Sequence, residues 1–213
     1  MKSGQWAPAL CAVILVCASI GAAETAEEVI ENMREKYESI EDAEIRFRQH
    51  VRFPMANIEQ EVGGLLTMKR GNRYRVEFDG RTIVTDGTTV WSYSRPNNQV
   101  LIDAFAMDER SFSPENILVR APSEFVPTLL GQERYRDVEL TVIKLVPRDD
   151  QAFLQSMKVW VDPDTWLMEK VELVDANGKE TTYVVEEIRI NTGMSDEQFR
   201  FHIPDGVDVV DLR

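Results

Sequence analysis

The stretch I-R-F-R-Q-H-V-R-F runs from Ile45 to Phe53 and alternates apolar with polar side chains, Gln49 being the one interruption. Successive side chains of a β-strand point to opposite faces, so the alternation predicts a strand with one apolar and one solvated face. The same two-residue period returns in most segments that follow. A sheet is therefore predicted to be the basis of the fold.

Turn signals separate these strands. Asp86-Gly87 predicts a hairpin, and Asp162-Pro163-Asp164 and Ala176-Asn177-Gly178 connect later strands. Gly63-Gly64 predicts a bulge or sharp bend inside the second strand. The predicted strands are Ile45–Phe53, Val62–Met68, Tyr74–Phe78, Arg81–Thr85, Thr89–Tyr93, Val100–Ile102, Val138–Val146, Phe153–Val161, Leu167–Val174, Thr181–Ile190 and Phe199–Ile203.

One helix is predicted ahead of the sheet. Thr25 is a suitable N-cap, and Glu28 three residues later completes a capping-box pattern. An apolar stripe at helical spacing follows, formed by Val29, Ile30, Met33, Tyr37 and Ile40. This pattern is typical of a helix packed on a sheet.

Two other segments interrupt the strand pattern. Phe105 to Leu130 contains three prolines and is predicted to form short helices and loops. Ser195 and Gln198 predict a brief capped turn before the last strand. The fold class is thus α+β, an antiparallel sheet of about ten strands with helices on one side. A sheet of this length curls and leaves a concave apolar face that helices or a ligand must cover.

The N-terminus has the pattern of a secretory signal peptide. Lys2 precedes an apolar run from Ala9 to Ile20, and small residues lead to predicted cleavage after Ala23. The alternative is an uncleaved N-terminal anchor, although the run is short for a membrane span. Both cysteines lie in this segment, so residues 24–213, predicted to be one domain, contain no disulfide or thiolate site.

Composition argues against several functions. A formal net charge of −13 disfavours nucleic acid and anionic membranes as partners. His50 and His202 are the only histidines and are expected at the surface. The sequence has no phosphate-binding loop, nucleophile elbow or metal-ligand spacing. We therefore predict no catalytic residues, no metal and no cofactor. The enzymatic alternative is an envelope hydrolase.

Two residue sets leave alternatives open. The basic residues Arg46, Arg48, Arg52, Arg73 and Arg75 are either a solvated sheet face paired with glutamates such as Glu59, Glu61 and Glu77, or a docking patch for an acidic partner. Large apolar side chains, including Trp91, Tyr93, Trp160, Trp166 and the methionines, form either an ordinary core or the wall of a cavity.

Four motifs resemble the outer-membrane lipoprotein carrier family, the LolA-like periplasmic chaperones. They are F-x-Q at Phe47–Gln49, K-R-x-N-x-aromatic at Lys69–Tyr74, D-G-x-x-x-W-x-Y at Asp86–Tyr93 and F-x-F-x-x-P-x-G-V at Phe199–Val207. Their order and spacing extend the resemblance over most of the chain after residue 23. It implies an unclosed β-barrel with a helical lid over an apolar cavity.

The resemblance also implies specific roles. Arg70 would contact the lid and gate the cavity, and Tyr74 would belong to the transporter-facing region; the family's usual proline after that arginine is Gly71 here. The acyl-chain cavity would be lined by Ile45, Phe47, Leu66, Met68, Val76, Phe78, Trp91, Tyr93, Phe125, Leu129 and Leu130. Of these residues, Phe125, Leu129 and Leu130 would belong to the lid.

The implied function is that of a monomeric periplasmic carrier without enzymatic activity. It would take acylated lipoproteins as cargo from an inner-membrane lipoprotein-releasing transporter and pass them to an outer-membrane acceptor. The alternative is an RseB-like, lipid-sensing regulator of envelope stress on the same fold, because a fold does not fix a function.

Overall fold

A helix opens the part of the chain that this computed structural model describes, which comprises residues 25–106 and 123–213. Helix α1 spans Ala26–Glu38. The Thr25 hydroxyl accepts a hydrogen bond from the Glu28 amide at 3.2 Å, and the Glu28 carboxylate accepts one from the Thr25 amide at 2.8 Å. The predicted capping box is confirmed. The predicted apolar stripe is buried along the helix.

The alternating segments form the strands of one sheet. Their bounds are β1 Asp42–Phe53, β2 Ile58–Lys69, β3 Arg73–Phe78, β4 Arg81–Asp86, β5 Thr89–Ser94, β6 Gln99–Ala104, β7 Phe125–Tyr135, β8 Val138–Pro147, β9 Leu154–Val161, β10 Met168–Asp175, β11 Glu180–Ile190 and β12 Asp208–Asp211. A short 3₁₀ turn, Asp196–Phe199, precedes β12.

The strand order is β12-β6-β5-β4-β3-β2-β1-β11-β10-β9-β8-β7, with β12 and β7 at the two ends. The sheet is therefore unclosed, as predicted, with twelve strands where about ten were expected. Neighbouring strands are antiparallel except β12, which pairs with β6 in parallel. The prediction of a wholly antiparallel sheet is wrong at this edge, because the chain crosses the sheet before adding its last strand.

The sheet curls around α1. One continuous apolar cluster contains side chains of the helix and of the eight strands from β3, at Tyr74, to β7, at Phe125. Seven strand spacings measure roughly 34 Å in a flat sheet, whereas a 13-residue helix is about 20 Å long. The helix contacts β7 at one end of this set of strands and, through Arg70, the β2–β3 turn near the other end. The sheet therefore bends around the helix, and its helix side is the concave face. The predicted helical cover over an apolar concave face is present as α1.

Two local predictions are corrected. Gly63 and Gly64 lie in a regular part of the β1–β2 ladder. The nearby bulge lies on the other side of β1, where β11 carries the extra residue Glu186 opposite Arg46 and Phe47. The part of the predicted helix-and-loop segment from Phe125 onward is strand β7, with Pro127 tolerated because β7 is an edge strand. Residues 107–122 of that segment lie outside the described residues.

The C-terminal segment covers part of the convex face. Phe199 was predicted to open the last strand but instead ends the 3₁₀ turn, which lies against β3 and β4. Its side chain is fully buried, and the chain continues without regular structure until β12. The convex face therefore has a small core of its own, which the alternation within individual strands does not reveal.

No helix within 25–106 and 123–213 is long and apolar enough to cross a membrane. The predicted signal peptide, residues 1–23, lies outside the described residues.

Candidate functional site on the concave face

Apolar side chains of β1, β2 and β3 lie in register on the concave face. Ile45 pairs with Leu66, and Leu66 pairs with Val76 on the far side. One step along the ladders, Met68 pairs with Ala43 and Tyr74. In the other direction Gly64 pairs with both Phe47 and Phe78. The structure thus brings together six residues of the predicted cavity: Ile45, Phe47, Leu66, Met68, Val76 and Phe78.

Burial divides these residues into two groups. Ile45 and Met68 are buried in the core that α1 covers. The other four, Phe47, Leu66, Val76 and Phe78, are half-buried. An apolar surface partly open to solvent therefore continues from the core along the concave face. Such a surface favours binding of an aliphatic chain, because each buried CH₂ group contributes about 0.8 kcal/mol.

A polar pair interrupts this surface on the β11 side. The Tyr183 hydroxyl accepts a hydrogen bond from the Gln49 side-chain amide at 2.8 Å. The Tyr183 ring lies 5.9 Å from the Phe47 ring in an edge-on arrangement. Burial raises the pKa of Tyr183, with the Gln49 hydrogen bond acting in the opposite direction. Sequence reasoning missed Tyr183, although its alternation with Val185 in β11 was visible.

The predicted lid residues belong to β7. Phe125 is buried in the concave core and Leu129 packs half-buried against it. Leu130 lies in a bulge between Leu129 and Gly131, where its side chain is 51% exposed. The extra residue turns Leu130 away from the cluster, so its assignment to the cavity is wrong. Phe125 and Leu129 lie on the concave face as strand residues.

The structure places Trp91 and Tyr93 on the convex face. Trp91 pairs with Val84, and the adjacent residue Thr85 pairs with Tyr74 on the concave side. The Tyr93 ring lies 6.0 Å from that of Phe201 in the C-terminal segment. Both aromatic residues therefore belong to the convex core, and their assignment to the cavity is wrong.

Arg70 is attached to the end of α1. Its guanidinium donates a hydrogen bond to the Glu38 carbonyl oxygen at 2.6 Å, while its amide donates to the Glu41 carbonyl oxygen at 2.9 Å. Carbonyl groups in the last turn of a helix have no partner within the helix. Arg70 therefore stabilises the C-terminal end of α1, the helix that covers the concave face.

A second contact fixes the same end of α1. The Tyr37 hydroxyl, buried in the core, accepts a hydrogen bond from the Met168 amide at 3.2 Å. Burial raises the pKa of Tyr37 to about 12. Tyr74 lies on the concave face beside Met68, and its ring is 6.4 Å from that of Phe105. The helix is thus tied to β10 through Tyr37 and to the β2–β3 turn through Arg70.

The arginines of the convex face form ion pairs with acidic side chains of β2, β3, β11 and the 3₁₀ turn. Arg48 contacts Glu61 at 2.7 Å and Glu186 at 2.6 Å, and Arg52 contacts Glu180 at 2.6 Å. The remaining pairs are Arg46 with Glu187, Arg73 with Asp196 and Arg75 with Glu77. The paired-face interpretation is confirmed, while the alternative of a docking patch for an acidic partner stays a prediction.

Comparisons with known proteins agree with this architecture. A protein of Halorhodospira halophila named outer-membrane lipoprotein carrier protein is 28% identical over 211 residues, covering 93% of each chain. One of the same name from Methylobacillus flagellatus is 25% identical, covering 85% of this chain and 88% of its own. The crystal structure of an uncharacterised Thermus thermophilus protein shares the fold with a TM-score of 0.61 at 16% identity, covering 87% of this chain and 98% of its own.

The family model described as outer membrane lipoprotein carrier protein LolA matches residues 38–202. The matched range contains β1 to β11 and the 3₁₀ turn. The half-buried apolar residues of the concave face lie within it. The chain therefore belongs to the LolA family of outer-membrane lipoprotein carrier proteins.

Proposed function

We propose that this protein is a periplasmic carrier that binds the acyl chains of lipoproteins on its concave face and moves them from the inner to the outer membrane. Its partners would be an inner-membrane lipoprotein-releasing transporter and an outer-membrane acceptor. The carrier would perform no covalent chemistry on its cargo. The observation that carries the proposal is the half-buried apolar surface formed by Phe47, Leu66, Val76 and Phe78 beside the covering helix.

Family membership supports the choice of cargo. The relatives from Halorhodospira halophila and Methylobacillus flagellatus are named as outer-membrane lipoprotein carriers. Both relatives are matched over most of their own length and over most of this chain. An apolar face of this kind suits aliphatic chains, which need no specific hydrogen-bond partners.

Release requires that the bound state be only moderately favoured. Burial of several acyl chains at about 0.8 kcal/mol per CH₂ group gives very tight binding. A covering helix that opens and closes lowers the net affinity, because only the open state exchanges cargo. Helix α1 suits this role, since one of its two described polar attachments is the exposed Arg70 side chain.

Native mass spectrometry of the protein isolated from an envelope extract without detergent tests the proposal. We expect co-purifying lipoprotein or phospholipid, or a mass increase after incubation with a triacylated peptide. An unacylated peptide of identical sequence is the control and gives no increase. A mass that stays unchanged with the triacylated peptide contradicts the carrier function.

Binding alone does not distinguish a carrier from a lipid-sensing regulator. A transfer assay does so, with cargo-loaded protein offered to outer-membrane vesicles and the lipoprotein measured in the vesicle fraction. Transfer supports the carrier. Retention of cargo together with capture of a membrane-bound regulatory protein supports the sensor instead.

A further inference from the structure

One end of the sheet presents apolar side chains to solvent. At the β1–β2 turn, Phe53 is 37% exposed, Met55 96% and Ile58 48%. Phe153, immediately before β9, is 57% exposed. We call these four residues the apolar rim. Soluble proteins rarely group exposed apolar residues without a binding role, so this set calls for an explanation.

The strand register places all four residues at the same end. Phe53 pairs with Ile58 where the β1–β2 ladder ends. The neighbouring strands end at the same level, because Arg52 pairs with Glu180 and Val174 pairs with Glu180 from the other side. Leu154, which follows Phe153, pairs with Asp175. The rim is therefore built from two separate turns on one side of the molecule.

The β1–β2 hairpin also extends beyond its neighbour on one side. β2 pairs with β3 only from Gly64 to Lys69, whereas β2 begins at Ile58. Its first six residues therefore pair with β1 alone among the described strands. Phe53, Met55 and Ile58 lie at the tip of this extension, the part of the hairpin that first meets an approaching surface.

A track of mostly apolar residues, interrupted by Gln49 and Gln60, connects the rim with the candidate binding face. Along the concave side of β1 the residues are Ile45, Phe47, Gln49, Val51 and Phe53, passing from buried to exposed. The residues beside them on β2 are Leu66, Gly64, Val62, Gln60 and Ile58. Because neighbouring members pair across the two strands, an acyl chain can leave the core along this track with limited exposure to water.

The arginine nearest the tip is neutralised by a neighbouring strand, because Arg52 contacts Glu180 at 2.6 Å. The Glu59 carboxylate lies 3.6 Å from the His50 imidazole. A protein of net charge −13 is repelled by an anionic surface. The local pairing and the projecting shape fit an uncharged or zwitterionic surface that accepts apolar side chains without a preformed pocket, and such a surface is the interface of a lipid bilayer.

We infer that the apolar rim docks the protein onto a zwitterionic lipid surface, so that acyl chains pass between the bilayer and the concave face along the β1–β2 hairpin. The inference rests on the proposed function, whose cargo is membrane-anchored before and after transport. The docking is transient, because a few small apolar insertions give only reversible binding.

Vesicle flotation tests this docking. The protein is mixed with phosphatidylcholine vesicles, and the bound fraction is measured for the natural chain and for the triple variant Phe53→Ser, Met55→Ser, Ile58→Ser. The control is Val209→Ser, Val210→Ser, Leu212→Ser, whose residues lie in or beside β12 and are 48%, 37% and 59% exposed. We expect vesicle partitioning to fall at least about tenfold in the rim variant and by less than about twofold in the control.

Binding of a triacylated peptide in detergent-free solution is measured with the same three proteins. Unchanged peptide binding by the rim variant shows that it is folded and that only docking is lost. If the natural chain binds the peptide but not the vesicles, or if both triple variants lose vesicle binding equally, the docking inference is overturned while the proposed function stands. If the natural chain binds vesicles but no triacylated peptide, the proposed function fails, and acyl transfer along the hairpin fails with it.

Discussion

The ring of Phe47 occupies the space that a side chain at Gly64 would need. The two residues are paired on β1 and β2, and a Cβ atom added to Gly64 would lie 2.8 Å from the Phe47 Cε2 atom. Carbon atoms do not approach this closely, so the glycine allows the ring to lie against the sheet. The arrangement keeps an aromatic wall on the concave face without filling the space above it.

Gly64→Ala is expected to move the Phe47 ring and to lower the free energy of unfolding by about 1–3 kcal/mol, as overpacking does. Gly63→Ala is the matched control, because a Cβ atom there meets nothing within 4 Å. We expect this control to leave stability unchanged or slightly higher, since alanine reduces the freedom of the unfolded chain. Urea unfolding measures the free energy of unfolding of both variants. Equal losses in the two would show that contact with the Phe47 ring does not determine the cost of Gly64→Ala.

Leu66→Gln is expected to weaken triacylated-peptide binding about tenfold, because it places a polar amide among the half-buried residues of the concave face. Leu65→Gln is the control. Leu65 is also half-buried in β2 but pairs with Arg46 and Glu77 on the convex face. A binding titration on both variants, at matched thermal stability, decides the assignment. A stronger loss of binding in Leu65→Gln than in Leu66→Gln would place the cargo on the convex face and contradict the assignment.

Local signals predicted the elements well, because they depend on neighbouring residues. The capping box at Thr25 and the alternation from Ile45 to Phe53 lead directly to α1 and β1. The hairpin at Asp86-Gly87 follows from its turn residues, and the Asp86 carboxylate accepts the amides of Thr88 and Thr89. Each of these features is contained within a few consecutive residues.

It was harder to predict which face of the sheet is concave and which segments cover each face, because both depend on residues far apart in the sequence. Val84 and Thr85 are adjacent and both buried, since the concave core lies on one side of β4 and the C-terminal segment on the other. Period-two alternation cannot tell which face is concave when both are covered. The assignment of Trp91 and Tyr93 failed for this reason, whereas Phe47 and Leu66 were placed correctly because the outer face of β1 is charged.

Arg70→Leu is expected to impair lipoprotein transfer more than folding. The Arg70 guanidinium caps the Glu38 carbonyl at the end of α1, and losing one exposed hydrogen bond costs about 1 kcal/mol of stability. The same loss weakens an attachment of the covering helix and shifts its open–closed balance. Transfer from loaded carrier to acceptor vesicles is compared with thermal unfolding.

The control for Arg70 is Arg46→Leu, which removes an exposed arginine from the convex face, 3.8 Å from Glu187. We expect it to change neither transfer nor stability appreciably. If Arg70→Leu reduces stability and transfer in proportion, Arg70 is a structural cap and does not gate the concave face.

Asp42 attaches the C-terminal segment to the start of β1. Its buried carboxylate accepts hydrogen bonds from the amides of Thr192, Gly193 and Met194 at 2.7, 3.0 and 3.0 Å. Burial alone would raise the pKa of Asp42, but these hydrogen bonds and that of the Thr192 hydroxyl lower it below its usual value. Folding therefore stabilises the ionised form of the Asp42 carboxyl group relative to the unfolded chain.

A carboxyl group whose pKa is lowered by folding contributes stability above its unfolded pKa of about 3.9, and the contribution is lost as the pH falls through the folded value. Asp42→Asn keeps one acceptor oxygen for Thr192 but replaces the oxygen that accepts from Gly193 and Met194 with an amide nitrogen, which cannot accept. We expect a loss of about 1–3 kcal/mol at pH 7 that shrinks steadily below about pH 4. Asp196→Asn, an exposed carboxylate near Lys69 and Arg73, is the control and should cost less than about 1 kcal/mol. Unfolding measured from pH 3 to pH 7 separates the two, and a pH-independent loss for Asp42→Asn would mean that its charge does not hold the C-terminal segment in place.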